Sequence, residues 1–167
     1  MEDVTPALQQ FVSDKGLLEG TVTIASRHTT TAITINEYET RLVDDLRSWL
    51  LKMAPPDARS EAKGSASYRH NDLNERPDSE KERQRCLENG WDVDDPEQLQ
   101  AWRDQEPINA HSHLLAMLLG ATVSIGVTEG QLMLGSWQSL LLVDLDGPRD
   151  RQLAVTALGT FAHDSWY

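Results

Sequence analysis

The last third of the chain most constrains its fold. ATVSIGV, QLMLG, QSLLLVDLD and RQLAVTALG are four short apolar runs within residues 121–159, divided by turn signals at Glu129-Gly130, Gly135-Ser136 and Asp146-Gly147-Pro148. Parallel neighbours would need a crossover of a dozen or more residues between strands, which these turns do not provide. The pattern therefore predicts consecutive antiparallel strands in a meander. TVTIASR (21–27) alternates and is β-branched, and TAITI (31–35) resumes strand character after an HTT bend.

Helices are predicted mainly before this region. The first starts with Thr5 as N-cap and Pro6 at its first position, carries Leu8, Phe11 and Val12 on one face, and stops at Gly16. A second runs from about Glu39 to Met53, with Leu42, Leu46, Trp49, Leu50 and Met53 at spacings of three and four, and ends before Pro55-Pro56. AHSHLLAMLLG forms a third, with Asn109 as N-cap and Gly120 as its stop. Helices early and strands late give an α+β fold, mostly antiparallel sheet packed with helices.

With 167 residues, 39% of them hydrophobic, the chain suits a single domain over 1–167. Within it, residues 57–67 are small and polar and read as a loop. Residues 72–106 carry twelve acidic and five basic side chains and a thin stripe of Leu87, Trp91, Leu99 and Trp102. That stretch is expected as an acidic helical insertion draped on the surface and anchored by its tryptophans.

The formal charge of −12 argues against a nucleic-acid backbone or an anionic membrane as the main partner. No stretch approaches the roughly 18 apolar residues of a membrane span. The lone Cys86 excludes an intramolecular disulfide, and with an acidic, polar N-terminus it leads to a cytoplasmic expectation. Arginines beside Cys86 would lower its pKa, yet a half-buried helix cysteine is the plainer reading.

The histidines point to chemistry. His28, His70, His111 and His113 lie beside hydroxyl, amide or carboxylate residues in three segments far apart in sequence. Neutral imidazole ligates zinc-like ions and serves as a base near neutral pH, so one site assembled by folding is expected. On a helix His111 and His113 lie about 200° apart, so only one of them can join a shared ion. The helix start at Asn109 would offer unpaired N–H groups to an anion. Thr29, Thr30 and Thr31 either satisfy turn amides or donate to substrate oxygens. Glu37, after Asn36, is a helix cap, a general base or a metal-bound carboxylate. Asp72 is a candidate to orient His70. Arg149, in the DGPRDR turn, is a possible phosphate clamp. Trp137, beside Gln138, is expected in the core rather than as a ligand platform. Ser112 lacks the glycines of a nucleophile elbow.

HTTTAITINE, YRHND, NAHSHLLAMLLG and GSWQSLLLVDLDGPR, in that order, resemble the YjbQ family, some members of which are called secondary thiamine-phosphate synthases. The resemblance runs from about residue 20 to 159. It implies an α+β domain that assembles as a homotrimer, and catalytic roles for His28, Thr30, Glu37, His70 and His113. It favours His113 over His111, and it places His28, His70 and His113 around a divalent metal, zinc or magnesium. Thr29, Asn36, Asn109, His111, Trp137, Gln138 and Arg149 then line the substrate site. Members of that family usually begin with two further strands, whereas this chain opens on its first helix, which is expected to expose a sheet edge.

The implied function is a metal-dependent enzyme acting on a small phosphorylated molecule, with thiamine phosphate formation as the specific case. Metal-assisted hydrolysis and non-catalytic binding of a metal or ligand by an oligomer are the alternatives.

Overall fold

The structure is a computed structural model, and it describes residues 1–59 and 66–162. The described chain divides into two compact units. Unit 1 comprises Met1–Ala54 with the described chain from Ser112 on, and unit 2 is Pro55–His111. Most of the predicted 57–67 loop, residues 60–65, falls outside the described residues.

Unit 1 carries strands β1 (Glu2–Asp3), β2 (Leu17–Ser26), β3 (Thr31–Asn36), β4 (Thr122–Thr128), β5 (Gln131–Leu132), β6 (Ser139–Asp144) and β7 (Leu153–Phe161). Its helices are α1 (Thr5–Lys15), α2 (Thr40–Met53) and, from Ser112 on, α5 (Ala110–Leu119), with the two helices of unit 2 lying between α2 and α5 in sequence. Every strand pairing is antiparallel, so the α+β architecture of antiparallel sheet and helices is as expected.

The four late strands do not form a meander. They divide between two sheets, one ordered β1-β6-β3 and the other β5-β4-β2-β7. The reason lies in burial. β2 alternates, burying Val22 and Ile24, while Thr23 on its other face pairs hydroxyls with Ser124 of β4. β6 buries Leu140, Leu141, Leu142 and Val143 in succession, so both its faces are covered, and its edges pair with β1 and β3 rather than with its sequence neighbours. Leu8 and Val12 of α1 join Leu17, Val22, Ile24, Ile33, Ile125, Val127, Leu140 and Leu142 in one core drawn from both sheets.

The helix starts differ from expectation. The N-cap of α1 is Val4, and Asp3 accepts the hydrogen bond from Thr5 N at 2.9 Å. The Thr5 hydroxyl instead accepts from Leu140 N at 2.7 Å, tying the helix to β6. The carboxylate that caps α2 is Glu39, not Glu37. It accepts from Arg41 N and Leu42 N, and these two bonds hold its pKa below the ordinary carboxylate value. Of the predicted α2 stripe only Leu50 is buried; Trp49 and Met53 stand exposed. Gly16 does end α1, in a left-handed conformation.

Unit 2 has a core of its own. α3 (Glu80–Glu88), capped by Ser79, and α4 (Pro96–Gln105), capped by Asp95, enclose their own small core of Cys86, Val93 and Trp102 with Trp91 and Leu99 against it. Cys86 takes the inward place expected of Leu87, which is exposed. Arg76 stacks over the Trp102 ring and pairs with Glu82 and Glu106. Burial pushes the Cys86 thiol up, and Glu82 and Glu106 add to it, outweighing the arginines expected to lower it. Among the described residues no helix is long and apolar enough to cross a membrane.

Gly20 and Gly159 face each other across β2 and β7 at φ of +148° and +153°, and a β-carbon on either would collide with the opposing main chain. Gly159→Ala should therefore destabilise unit 1 by about 1–3 kcal/mol, the usual scale for such a conformation. A drop in urea midpoint against wild type measures it, and an unchanged midpoint would refute this role.

Candidate functional site

Where β2 ends at Ser26, the chain bends through Arg27, His28, Thr29 and Thr30 before β3 begins at Thr31. Local polar bonds set this bend. The Ser26 and Thr31 hydroxyls bond to each other across it, and Ser26 Oγ also accepts from His28 N at 3.1 Å. Main-chain bonds then fasten the surroundings. Ser26 N donates to Ala121 O, Ile33 N to Gly120 O, and Leu145 N to Thr30 O, each within 3.1 Å.

α5 passes beside this bend. His113, Ala116, Met117 and Gly120 follow the three- and four-residue spacing that puts side chains on one helix face. With Ala121 and Ser26, Arg27, His28, Thr29 and Thr31 they line a cleft of about 590 Å³. No carboxylate is among these residues, although the chain carries a net charge of −12. Arg27, itself exposed, has no carboxylate partner among the described residues. Its guanidinium donates to Gln152 Oε1 at 3.3 Å.

His28 is held from the far side. Gln152 N donates to its Nε2 at 2.8 Å, and Arg27 N donates to Gln152 O at 3.1 Å. His28 and His113 are thus the two expected site histidines that line one cleft. His70 lies in unit 2, exposed on a single 3-10 turn at Arg69–Asn71, where its carbonyl accepts from Arg76 at 3.0 Å. His111, half-buried, also belongs to unit 2.

A catalytic zinc-type ion takes three protein ligands and keeps one position open. This cleft offers two imidazoles, and Nε2 of one already accepts a main-chain hydrogen bond, so its residues do not complete such a shell. Among the described residues no three of His, Cys, Asp and Glu are grouped to hold an ion.

The other expected residues are placed as follows. Thr29 lines the cleft, whereas Thr30 is buried and supports the bend through its carbonyl. Asn36 and Glu37 lie at the opposite end of β3 from Thr31, about 17–20 Å along a six-residue strand. Asn36 Oδ1 accepts from Glu37 N, and Glu37 is exposed. The expected anion site at the start of α5 is altered, because Asn71 Oδ1 already takes the N–H of Ala110 at 3.0 Å; Asn109 is buried beside it. Trp137 is 77% exposed, not core, and Gln138 folds back to accept from Gly135 N in the same turn. Ser112 is buried and donates to Leu145 O, a structural bond rather than a nucleophile's.

Arg149 pairs with Asp146 at 3.3 Å on the rim of a second cleft of about 580 Å³, shared with Asp144 and Arg151. Burial opposes the charge on Asp144, but its hydrogen bonds from Arg151 and from main-chain N–H groups outweigh this and hold its pKa below the usual carboxylate value.

Sequence reasoning overlooked Ser26, Arg27 and Gln152. The first two lie just before His28 and could have been found by treating the bend as a unit. Gln152, 124 residues away from His28, carried no sequence signal.

Comparison with known proteins follows this geometry. Residues 1–160 match the family described as UPF0047 protein YjbQ-like. A UPF0047 protein of Methanothermobacter thermautotrophicus is 32% identical over 157 residues, covering 94% of this chain and 81% of the relative. One from Archaeoglobus fulgidus is 31% identical over 156 residues, covering 93% and 89%. Among solved structures, a hypothetical protein of Aeropyrum pernix K1 superposes with a TM-score of 0.66 at 28% identity, covering 95% of this chain and 88% of its own. A protein of Sulfolobus solfataricus described as YbjQ-like and of unknown function gives 0.66 at 29% identity, covering 95% and 86%.

Proposed function

This chain belongs to the YjbQ-like UPF0047 family, and from that premise we propose that the unit 1 cleft binds a small phosphorylated molecule and catalyses a reaction on it. One observation carries the reading. In a strongly acidic protein, the cleft walls hold one guanidinium, two imidazoles and three hydroxyls and no carboxylate. Such a wall attracts an anion that the rest of the surface repels. Arg27 offers the planar pair of donors that suits two phosphate oxygens, and the Thr29 hydroxyl adds a third. His113, on the α5 face that lines the cleft, is the group to hold or move a proton.

Thiamine phosphate formation fits this reading, because both of its substrates are phosphorylated: a pyrimidine methyl pyrophosphate and a thiazole phosphate, which join with expulsion of pyrophosphate. It is the first turnover to assay. The simpler test is binding. Arg27→Ala should weaken inorganic phosphate binding by tenfold or more, from ~1.5–3 kcal/mol for hydrogen bonds to a charged group. Titration calorimetry reads this, and an affinity equal to wild type would sink the proposal.

A divalent ion, zinc or magnesium, is the second reading, favoured because His28 and His113 line the same cleft. It requires a third ligand, which the cleft residues do not themselves supply. Metal analysis of the purified protein beside a His28→Ala, His70→Ala, His113→Ala triple variant tests it. Stoichiometric metal that the variant loses supports the ion. Metal-free wild type that still binds phosphate ends it.

The homotrimer implied by the family resemblance is proposed on separate grounds. Leu114, Met117 and Leu118 of α5 are large apolar side chains left exposed, Met117 at 79%, and they form a patch that a second copy would cover. Leu118→Glu should shift the protein to a smaller species by sedimentation equilibrium. A wild-type monomer would remove the proposal.

A further inference from the structure

We infer that Gln152 is the positioning residue of the cleft, and that its main-chain N–H fixes His28 as the tautomer protonated on Nδ1, which presents a donor to an anionic ligand oxygen. This rests on the proposed phosphate cleft and specifies how one of its walls works.

The geometry follows from the end of a β-ladder. β2 and β7 pair in register up to Ser26 and Leu153. One step further, Arg27 N donates to Gln152 O at 3.1 Å, as a continued ladder would have it. The Gln152 N–H does not return to the Arg27 carbonyl. It goes to His28 Nε2 at 2.8 Å, so an imidazole nitrogen stands where a main-chain acceptor would be.

A main-chain N–H can only donate, so Nε2 must present its lone pair. Neutral imidazole carries a single proton, which is therefore on Nδ1. The main chain that carries the ring is held as well, because His28 N donates to Ser26 Oγ. Gln152 also reaches the neighbouring cation, its Oε1 accepting from Arg27 at 3.3 Å. A residue outside the cleft thus touches both Arg27 and His28, through three hydrogen bonds.

The assignment divides the two imidazoles by role. His28 offers an N–H to an acceptor oxygen, which suits a phosphate and not a cationic or purely donating ligand. An ion could use Nε2 only by displacing the Gln152 bond. Proton acceptance in the cleft then falls to His113.

The test is a long-range proton–nitrogen correlation spectrum of the imidazole-labelled full chain at about pH 8.5, two units above the usual histidine value of ~6.5. Wild type should show His28 Nε2 unprotonated and Nδ1 as N–H, with the Nδ1 signal moving when inorganic phosphate is added. Gln152→Ala keeps the main-chain donor and should keep this tautomer. Gln152→Pro removes the donor; it should release His28 to a mixture of tautomers and raise the phosphate Kd about tenfold. A wild-type ring protonated on Nε2 overturns the inference, as does a Gln152→Pro spectrum matching wild type. Should the proline variant fail to fold, the wild-type and Gln152→Ala tautomers decide. A Gln152-dependent Nδ1–H tautomer in a protein that binds no phosphate would uphold the positioning role while refuting the phosphate reading.

Discussion

Strand β2 is the interaction on which unit 1 depends. It is hydrogen-bonded along both edges, to β4 on one side and β7 on the other, so the early and late halves of the unit are joined in a single sheet. The same strand buries Val22 and Ile24 in the core that α1 and the second sheet share. Its close approach to β7 at Gly20 and Gly159 leaves no room for a side chain, so strand spacing and the core beneath are set together.

The cleft forms where that strand runs out. Ser26 is the last residue of β2, and Thr31 opens β3 in the other sheet, so the four residues between them leave one ladder before joining the next. Main-chain groups at such a crossing lack regular partners. Here side chains supply them: the Ser26 hydroxyl for His28 N, and the His28 ring for Gln152 N. The residues that stabilise the crossing are thus largely those that line the cleft, which ties the local fold to the proposed chemistry. Arg27, with no carboxylate among the lining residues to balance it, gives the cleft a local charge opposite in sign to that of the whole chain.

Much of this was legible beforehand. Alternation identified β2, apolar spacing and Gly16 bounded α1, and the residues around His28 and His113 marked two parts of one cleft. What misled was of two kinds. Single-residue register decided whether Cys86 or Leu87 faced inward, and whether Glu37 or Glu39 capped α2; one step along a helix turns a side chain by about 100°, so a small boundary error reverses the assignment. Pairing partners were the other kind. β6 was read as joining its sequence neighbours, yet its edges pair with β1 and β3, which are distant in sequence, and its four successive apolar residues are buried on both faces.

Sequence by itself determined the element types, the antiparallel α+β class, the family and the candidacy of His28 and His113, because periodicity, caps and local motifs are properties of neighbouring residues. Tertiary structure alone decided that the late strands separate into two sheets, that Trp137 is exposed and Thr30 buried, and that Gln152 meets His28 across 124 residues. These depend on which surfaces exclude water together and on where a ladder ends, and neither is encoded within any one stretch of the chain.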